Sequence, residues 1–275
     1  MGLASIPSPA HAAWRLGPLP VRAQALCVIA GIGVAILVAA RRYRRPGVIL
    51  DVAAWAVPFG LIGALLHAIL LDTVHNHVLT AAVASIGVPG AVGLGAVGAW
   101  IACRRAGVEL SPVAGAAAPA VAFGLAVGGL GAWWAQQFYG PPSSWWWAVQ
   151  ISPGRRVPGY QNYGTFQPVF AYLALWETAL GFALILLSRK NSRKNSGQRV
   201  LALGAAGYAA GAFWADSTRI GPLPRVLGIR AVLLADVAVF TLGVVGWYLT
   251  RSRRAHPAPD PVTLVDDSSG DVMST

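Results

Sequence analysis

Long apolar runs, separated by short polar or basic connections, set the pattern of the chain. Five of them, Ala23–Ala40, Ile49–Leu71, Val78–Cys103, Val113–Trp134 and Pro168–Leu187, each reach the roughly 18 residues needed to cross a hydrocarbon layer as a helix. Two weaker runs follow, Val200–Ala215 and Ala231–Thr250. The pattern predicts an all-α polytopic membrane protein with seven transmembrane helices. Glycines recur at four-residue spacing, as in Gly124 with Gly128 and Gly207 with Gly211, a spacing that lets helix backbones approach closely in lipid. No internal repeat is visible, which weighs against the duplicated architecture of many secondary transporters.

Composition agrees with this class: 56% of the 275 residues are hydrophobic and 11% charged, where a soluble domain carries roughly a quarter charged residues. The formal net charge of +11 does not imply nucleic acid, because the basic residues form no extended patch. They cluster just after apolar runs, at 41–45, 104–105, 189–194 and 251–254, each time after an odd-numbered run. Retained Lys and Arg mark the cytoplasmic side, so the N-terminus is expected outside and the C-terminus in the cytoplasm. Residues 1–254 then form one transmembrane domain, and 255–275, rich in Pro, Asp, Ser and Thr, a disordered cytoplasmic tail. The first 22 residues lack the basic start and early apolar core of a cleavable signal peptide. Cys27 and Cys103 fall near opposite faces of the membrane, which excludes a disulfide between them. Arginine outnumbers lysine 19 to 2, which with abundant Ala, Gly and Val points to a bacterial source of high G+C content.

An ionisable residue inside a membrane span is a functional candidate by default. Asp51, His67, Glu177 and Asp236 qualify, with Asp216 at the outer end of the sixth run. Glu177 lies mid-span and is expected to need a partner inside the bundle. Asp72, His75 and His77 have metal-ligand chemistry but lack a fourth ligand; no metal and no cofactor are expected. The stretch GGLGAWWAQQFYGPPSSWWW, residues 128–147, reads first as an interfacial tryptophan belt and only second as the frame of a site.

That stretch, with LGPLPVRAQALC (16–27), LDVAAWAVPFGLIG (50–63), GAVGLGAVGAWIACRR (90–105), TFQPVFAY (165–172) and GYAAGAFWADSTR (207–219), resembles the prolipoprotein diacylglyceryl transferases of bacterial inner membranes. The resemblance implies seven spans with an outside N-terminus. It also implies transfer of the diacylglyceryl group of phosphatidylglycerol to a lipobox cysteine thiol. The family signature Gly-Arg-x-Gly-Asn-aromatic-x-Asn-x-Glu-x-x-Gly is matched at Gly128, Gly131, Trp133 and Gly140. Its Arg falls on Gly129, its Asn positions on Ala132 and Ala135, and its Glu on Gln137. In the sixth run the family's Gly-Arg-Phe-x-x-Glu keeps Gly211 and Phe213, but its Arg falls on Ala212 and its Glu on Asp216. The family's tyrosine after the first Arg is Gln24.

Packing positions are therefore kept while the polar centre is largely emptied. Such a transfer needs cations on the leaving phosphate and a thiolate from a thiol of pKa about 8.5, and loss of one electrostatic group costs about 10²–10³ in rate. The leading expectation is a catalytically impaired or inactive member, with no assigned catalytic residue. It would bind phospholipid, phosphatidylglycerol first, or a lipoprotein precursor, or assist an active paralogue. A working transferase with a divergent site and a lipid or small-molecule transporter on the same scaffold are the alternatives. The candidate lipid-binding residues are Arg22, Gln137, Tyr139, Tyr172, Asp216 and Arg219, with Arg225 and Arg230 in a loop roofing them, in a multi-pass protein of the inner membrane.

Overall fold

A computed structural model describes residues 5–9, 11–16, 19–74, 83–190, 196–221, 225–226 and 228–252. Seven long helices dominate it: α1 (Ala23–Arg42), α2 (Pro46–Val74), α3 (Val83–Arg105), α4 (Leu110–Gly129), α6 (Val169–Lys190), α7 (Ser196–Thr218) and α8 (Ala231–Ser252), with a short α5 (Gly131–Ala135) after α4. Each follows one apolar run within a few residues. Among the described residues five stretches, 23–42, 46–66, 110–135, 169–189 and 231–251, are long and apolar enough to cross a membrane. Pro46 opens α2, a position where its missing N–H costs nothing.

The centre of the bundle is α4, which packs against α1, α6 and α7. Small side chains let it do so: Ala114, Ala118, Ala122 and Ala126 are all buried. At Gly31 an added Cβ would collide with the carbonyl oxygen of Gly124, and a Cβ at Gly124 would lie 2.8 Å from that of Gly31. The two glycines thus set a backbone contact between α1 and α4. Gly207 and Gly211 serve the α6–α7 contact instead, against the side chains of Leu180 and Trp176. Trp176 Nε1 donates to the Gly207 carbonyl at 2.9 Å.

One end of the bundle gathers the end of α1, the start of α2, the end of α3 and the start of α4 in a cluster of Ala39, Ile49, Cys103 and Val113. The basic block residues Arg104 and Arg105 sit there over Trp100 and Trp55, 5.1 and 5.2 Å from the ring centroids, an arrangement that stabilises a cation over an aromatic face. Cys27 and Cys103 are both free.

Two features depart from the expected pattern. The fourth run does not continue as one helix to Trp134: α4 stops at Gly129, α5 adds one turn, and Gln136 then takes a left-handed conformation with φ of 52°. The Gln136 side chain holds that turn by accepting the Ser152 N–H at 2.8 Å. Secondly, the connection from 136 to 168 is a folded cap with its own core. Strands β3 (Val149–Gln150) and β4 (Thr165–Phe166) pair antiparallel over buried Tyr139, Ile151, Phe166 and Phe170. Two further antiparallel pairs lead into α1 and α8, β1 (Ala13–Leu16) with β2 (Leu19–Arg22), and β5 (Arg225–Val226) with β6 (Ile229–Arg230). Trp145 and Trp146 are exposed on the cap, and Trp147 Nε1 donates to the Tyr172 hydroxyl at 2.8 Å. His75, His77 and the tail 255–275 lie outside the described residues.

Candidate functional site

Where α1, α4, α6 and α7 meet beneath the cap, they enclose a cavity of about 470 Å³, within the 300–1,000 Å³ typical of small-ligand sites. Helical periodicity explains its walls. On α6 the residues at i, i+4 and i+8 (Val169, Leu173, Glu177) face it, and on α7 Tyr208, Ala212, Asp216 and then Arg219 do. From α1 come Gln24, Val28 and Gly31, from α4 Gly124, Gly128 and Gly129, and Ala132 and Phe138 close the cap side. The lining is mostly apolar.

The α7 end carries the charge. The Arg219 guanidinium lies 3.3 Å from an Asp216 carboxylate oxygen and 4.0 Å from the centre of the Phe138 ring, and Arg219 is 8% exposed. Arg230 donates to the backbone carbonyls of Asp216 and Arg219 at 2.8 and 2.9 Å, so it caps the C-terminal end of α7, where a cation also meets the helix dipole favourably. Instead of facing a ligand, its guanidinium holds the helix end that presents Arg219.

Of the six residues singled out from sequence, Asp216 and Arg219 line the cavity and the other four do not. Arg22 stands exposed at the N-cap position of α1. Gln137 follows the left-handed turn, its N–H donating to the Ala132 carbonyl at 3.0 Å. Tyr139 belongs to the core of the cap: its hydroxyl donates to the Arg155 carbonyl at 2.7 Å and accepts the Val157 N–H at 3.0 Å. Burial pushes its phenol up from the usual value, opposed by the Val157 hydrogen bond and the Arg156 charge, which keeps the proton on the donating oxygen. Tyr172 receives the Trp147 indole. Side-chain placement at Arg225 lies outside the described residues.

Three lining residues come from a different reading of the same sequence. Gly129, Ala132 and Ala212, where the resemblance puts Arg, Asn and Arg, all face this cavity, as does Gln24 in place of a tyrosine. Glu177 faces it too. Its mid-span position led us to expect a partner, but among the described residues it has neither a hydrogen bond nor an ion pair, although it is only 4% exposed. Asp236 lies elsewhere on α8, with one buried oxygen lacking a hydrogen-bond partner. No group of three metal-type ligands occurs among the described residues. Chemically the cavity can hold an apolar chain, receive an anion at Arg219 and a donor at Glu177.

Over residues 11–249 the chain matches the family described as Prolipoprotein diacylglyceryl transferase. It is 37% identical to a Streptomyces griseus protein named phosphatidylglycerol–prolipoprotein diacylglyceryl transferase, over 97% of this chain and 83% of that one. A Streptomyces avermitilis protein of the same name is 38% identical over 95% and 78% of the two chains. One from Mycobacteroides abscessus is 35% identical over 96% and 82%.

Proposed function

The chain belongs to the prolipoprotein diacylglyceryl transferase family, and we propose that it holds phospholipid in the cavity between α1, α4, α6 and α7 without transferring the diacylglyceryl group. The relatives' names support phosphatidylglycerol as the lipid and a lipoprotein precursor as the second ligand; assistance to an active paralogue is the remaining part of the proposal. It would act in the bacterial inner membrane as a seven-span protein with its N-terminus outside.

One observation carries the absence of transfer: among the described lining residues Arg219 is the single cation, and it is already paired with Asp216. A departing glycerol phosphate needs cationic or hydrogen-bonding groups aimed at its growing charge. Gly129, Ala132 and Ala212 face the cavity with no such group. Residues acting together in a site do not lose their effects one at a time, so the combined loss removes useful turnover.

The relatives favour a second reading, a working transferase with a divergent site. All the relatives compared carry the transferase name, and similarity alone speaks more for this reading than for the first. In it, Arg219 and Asp216 would serve the phosphate and the thiol proton. Purified protein in phosphatidylglycerol vesicles with a lipobox peptide separates the two. Retained lipid with unmodified peptide is expected; a peptide heavier by one diacylglyceryl group establishes the second reading.

A further inference from the structure

We infer that Glu177 reads the headgroup of the bound lipid, its carboxyl group accepting a hydrogen bond from a headgroup donor, a hydroxyl or an ammonium, that enters the cavity. The inference rests on the cavity being a lipid site and concerns which lipids it selects.

Glu177 sits two turns along α6 from Val169, at 4% exposure, facing a mostly apolar space. A carboxyl group in such surroundings is strongly disfavoured unless it is hydrogen-bonded or paired. The protein supplies no such partner among the described residues. The nearby candidates are otherwise engaged or do not reach it. Arg219 is bound to Asp216. Tyr208 lines the same cavity and lies within electrostatic reach of Glu177, but no hydrogen bond joins them. With Arg219 offset by Asp216, Glu177 leaves the lining short of positive charge and of donors.

A lipid headgroup that brings an O–H or N–H of its own would supply the missing partner to the carboxyl oxygens. A glycerol headgroup offers hydroxyls, and an ethanolamine headgroup offers an ammonium whose bond to a carboxylate is charge-assisted. A quaternary ammonium or a methyl phosphodiester offers neither. A metal ion does not fit, since hard cations take six or more oxygen ligands and no cluster of three metal-type ligands occurs among the described residues.

The test uses the purified full chain in vesicles holding lipids in charge-matched pairs, with protein-bound lipid quantified by mass spectrometry. One pair is phosphatidylethanolamine and phosphatidylcholine; the other is phosphatidylglycerol and phosphatidylmethanol. The wild type is expected to enrich the donor-bearing member of at least one pair by roughly tenfold, the low end for a hydrogen bond to a charged group. Which pair responds distinguishes ammonium from hydroxyl. Glu177→Leu, similar in size and suited to an apolar cavity, is expected to bind lipid with no preference within either pair, whereas Glu177→Gln keeps part of the hydroxyl preference. Lipid bound by the wild type without preference in either pair overturns the inference and leaves the lipid site standing. No lipid bound at all removes the lipid site itself. Should the leucine variant fail to fold, dodecylamine or dodecanol set against dodecane in thermal melting of the wild type gives the same comparison. No added stabilisation by either donor-bearing compound overturns the inference.

Discussion

At the residue scale, the cavity separates roles that look alike in sequence. Tyr139, Tyr172, Asp216 and Arg219 are all polar residues on the cap side of the bundle, yet only the last two line the cavity. Tyr139 ties the cap together through Arg155 and Val157, so Tyr139→Phe is expected to destabilise the cap by about 1 kcal/mol, the usual net value of a hydrogen bond. Faster tryptic cleavage after Arg155 and Arg156, with lipid retention unchanged, is the expected readout; lower lipid retention with cleavage unchanged would move Tyr139 into the site. Arg219→Ala should lower co-purified phosphatidylglycerol, because it removes the one cation among the described lining residues and the ion-pair partner of Asp216. Arg104→Ala, which loses only its place over Trp100, should not. Equal lipid recovery from both variants would reduce Arg219 to a helix anchor. Glu177 was legible as unusual from its mid-span position alone. Its lack of a partner among the described residues was not, since that depends on which faces of α6 and α7 meet.

At the element scale, the long helices were legible because the apolar runs are long and their ends are marked by basic blocks. The break after α4 was not. GGLGAWWAQQ is apolar enough to continue a helix, yet after the one turn of α5 the helical path ends because Gln136 takes φ of 52° and is held by Ser152, a residue 16 positions on. Four-residue glycine spacing correctly marked helix contacts but could not say which helices meet. Gly124 faces Gly31 of α1, whereas Gly207 and Gly211 face α6. Gly31→Leu should therefore separate α1 from α4, at about 1–3 kcal/mol or more for an overpacked contact. Gly33→Leu, with no atom within 4 Å of the added Cβ, should be tolerated. Thermal midpoints in detergent compare them, and equal midpoints would mean that the α1–α4 contact is not set by Gly31.

At the scale of the whole molecule, the charge pattern and the packing point to the same arrangement. The ends of α1 and α3 and the starts of α2 and α4 share one cluster, and the basic residues 41–45 and 104–105 lie at that end. A cysteine at Ala106 in a background lacking Cys27 and Cys103 should resist an impermeant thiol reagent added from outside, while one at Ser144 should react. The reverse pattern would invert the proposed orientation. The cap was legible only as a long outer connection, because its fold rests on contacts between distant residues such as Val149 with Phe166. The frame of the cavity was legible through the resemblance at 128–140 and 207–219, whose altered positions Gly129, Ala132 and Ala212 converge on one space. The most direct measurement is lipidation of a lipobox peptide by the purified protein in phosphatidylglycerol vesicles, run beside an active transferase of the family. The expected result is peptide of unchanged mass under conditions where the active enzyme modifies it fully. Addition of a diacylglyceryl group by this chain, abolished by Arg219→Ala, would contradict the account and establish a working transferase.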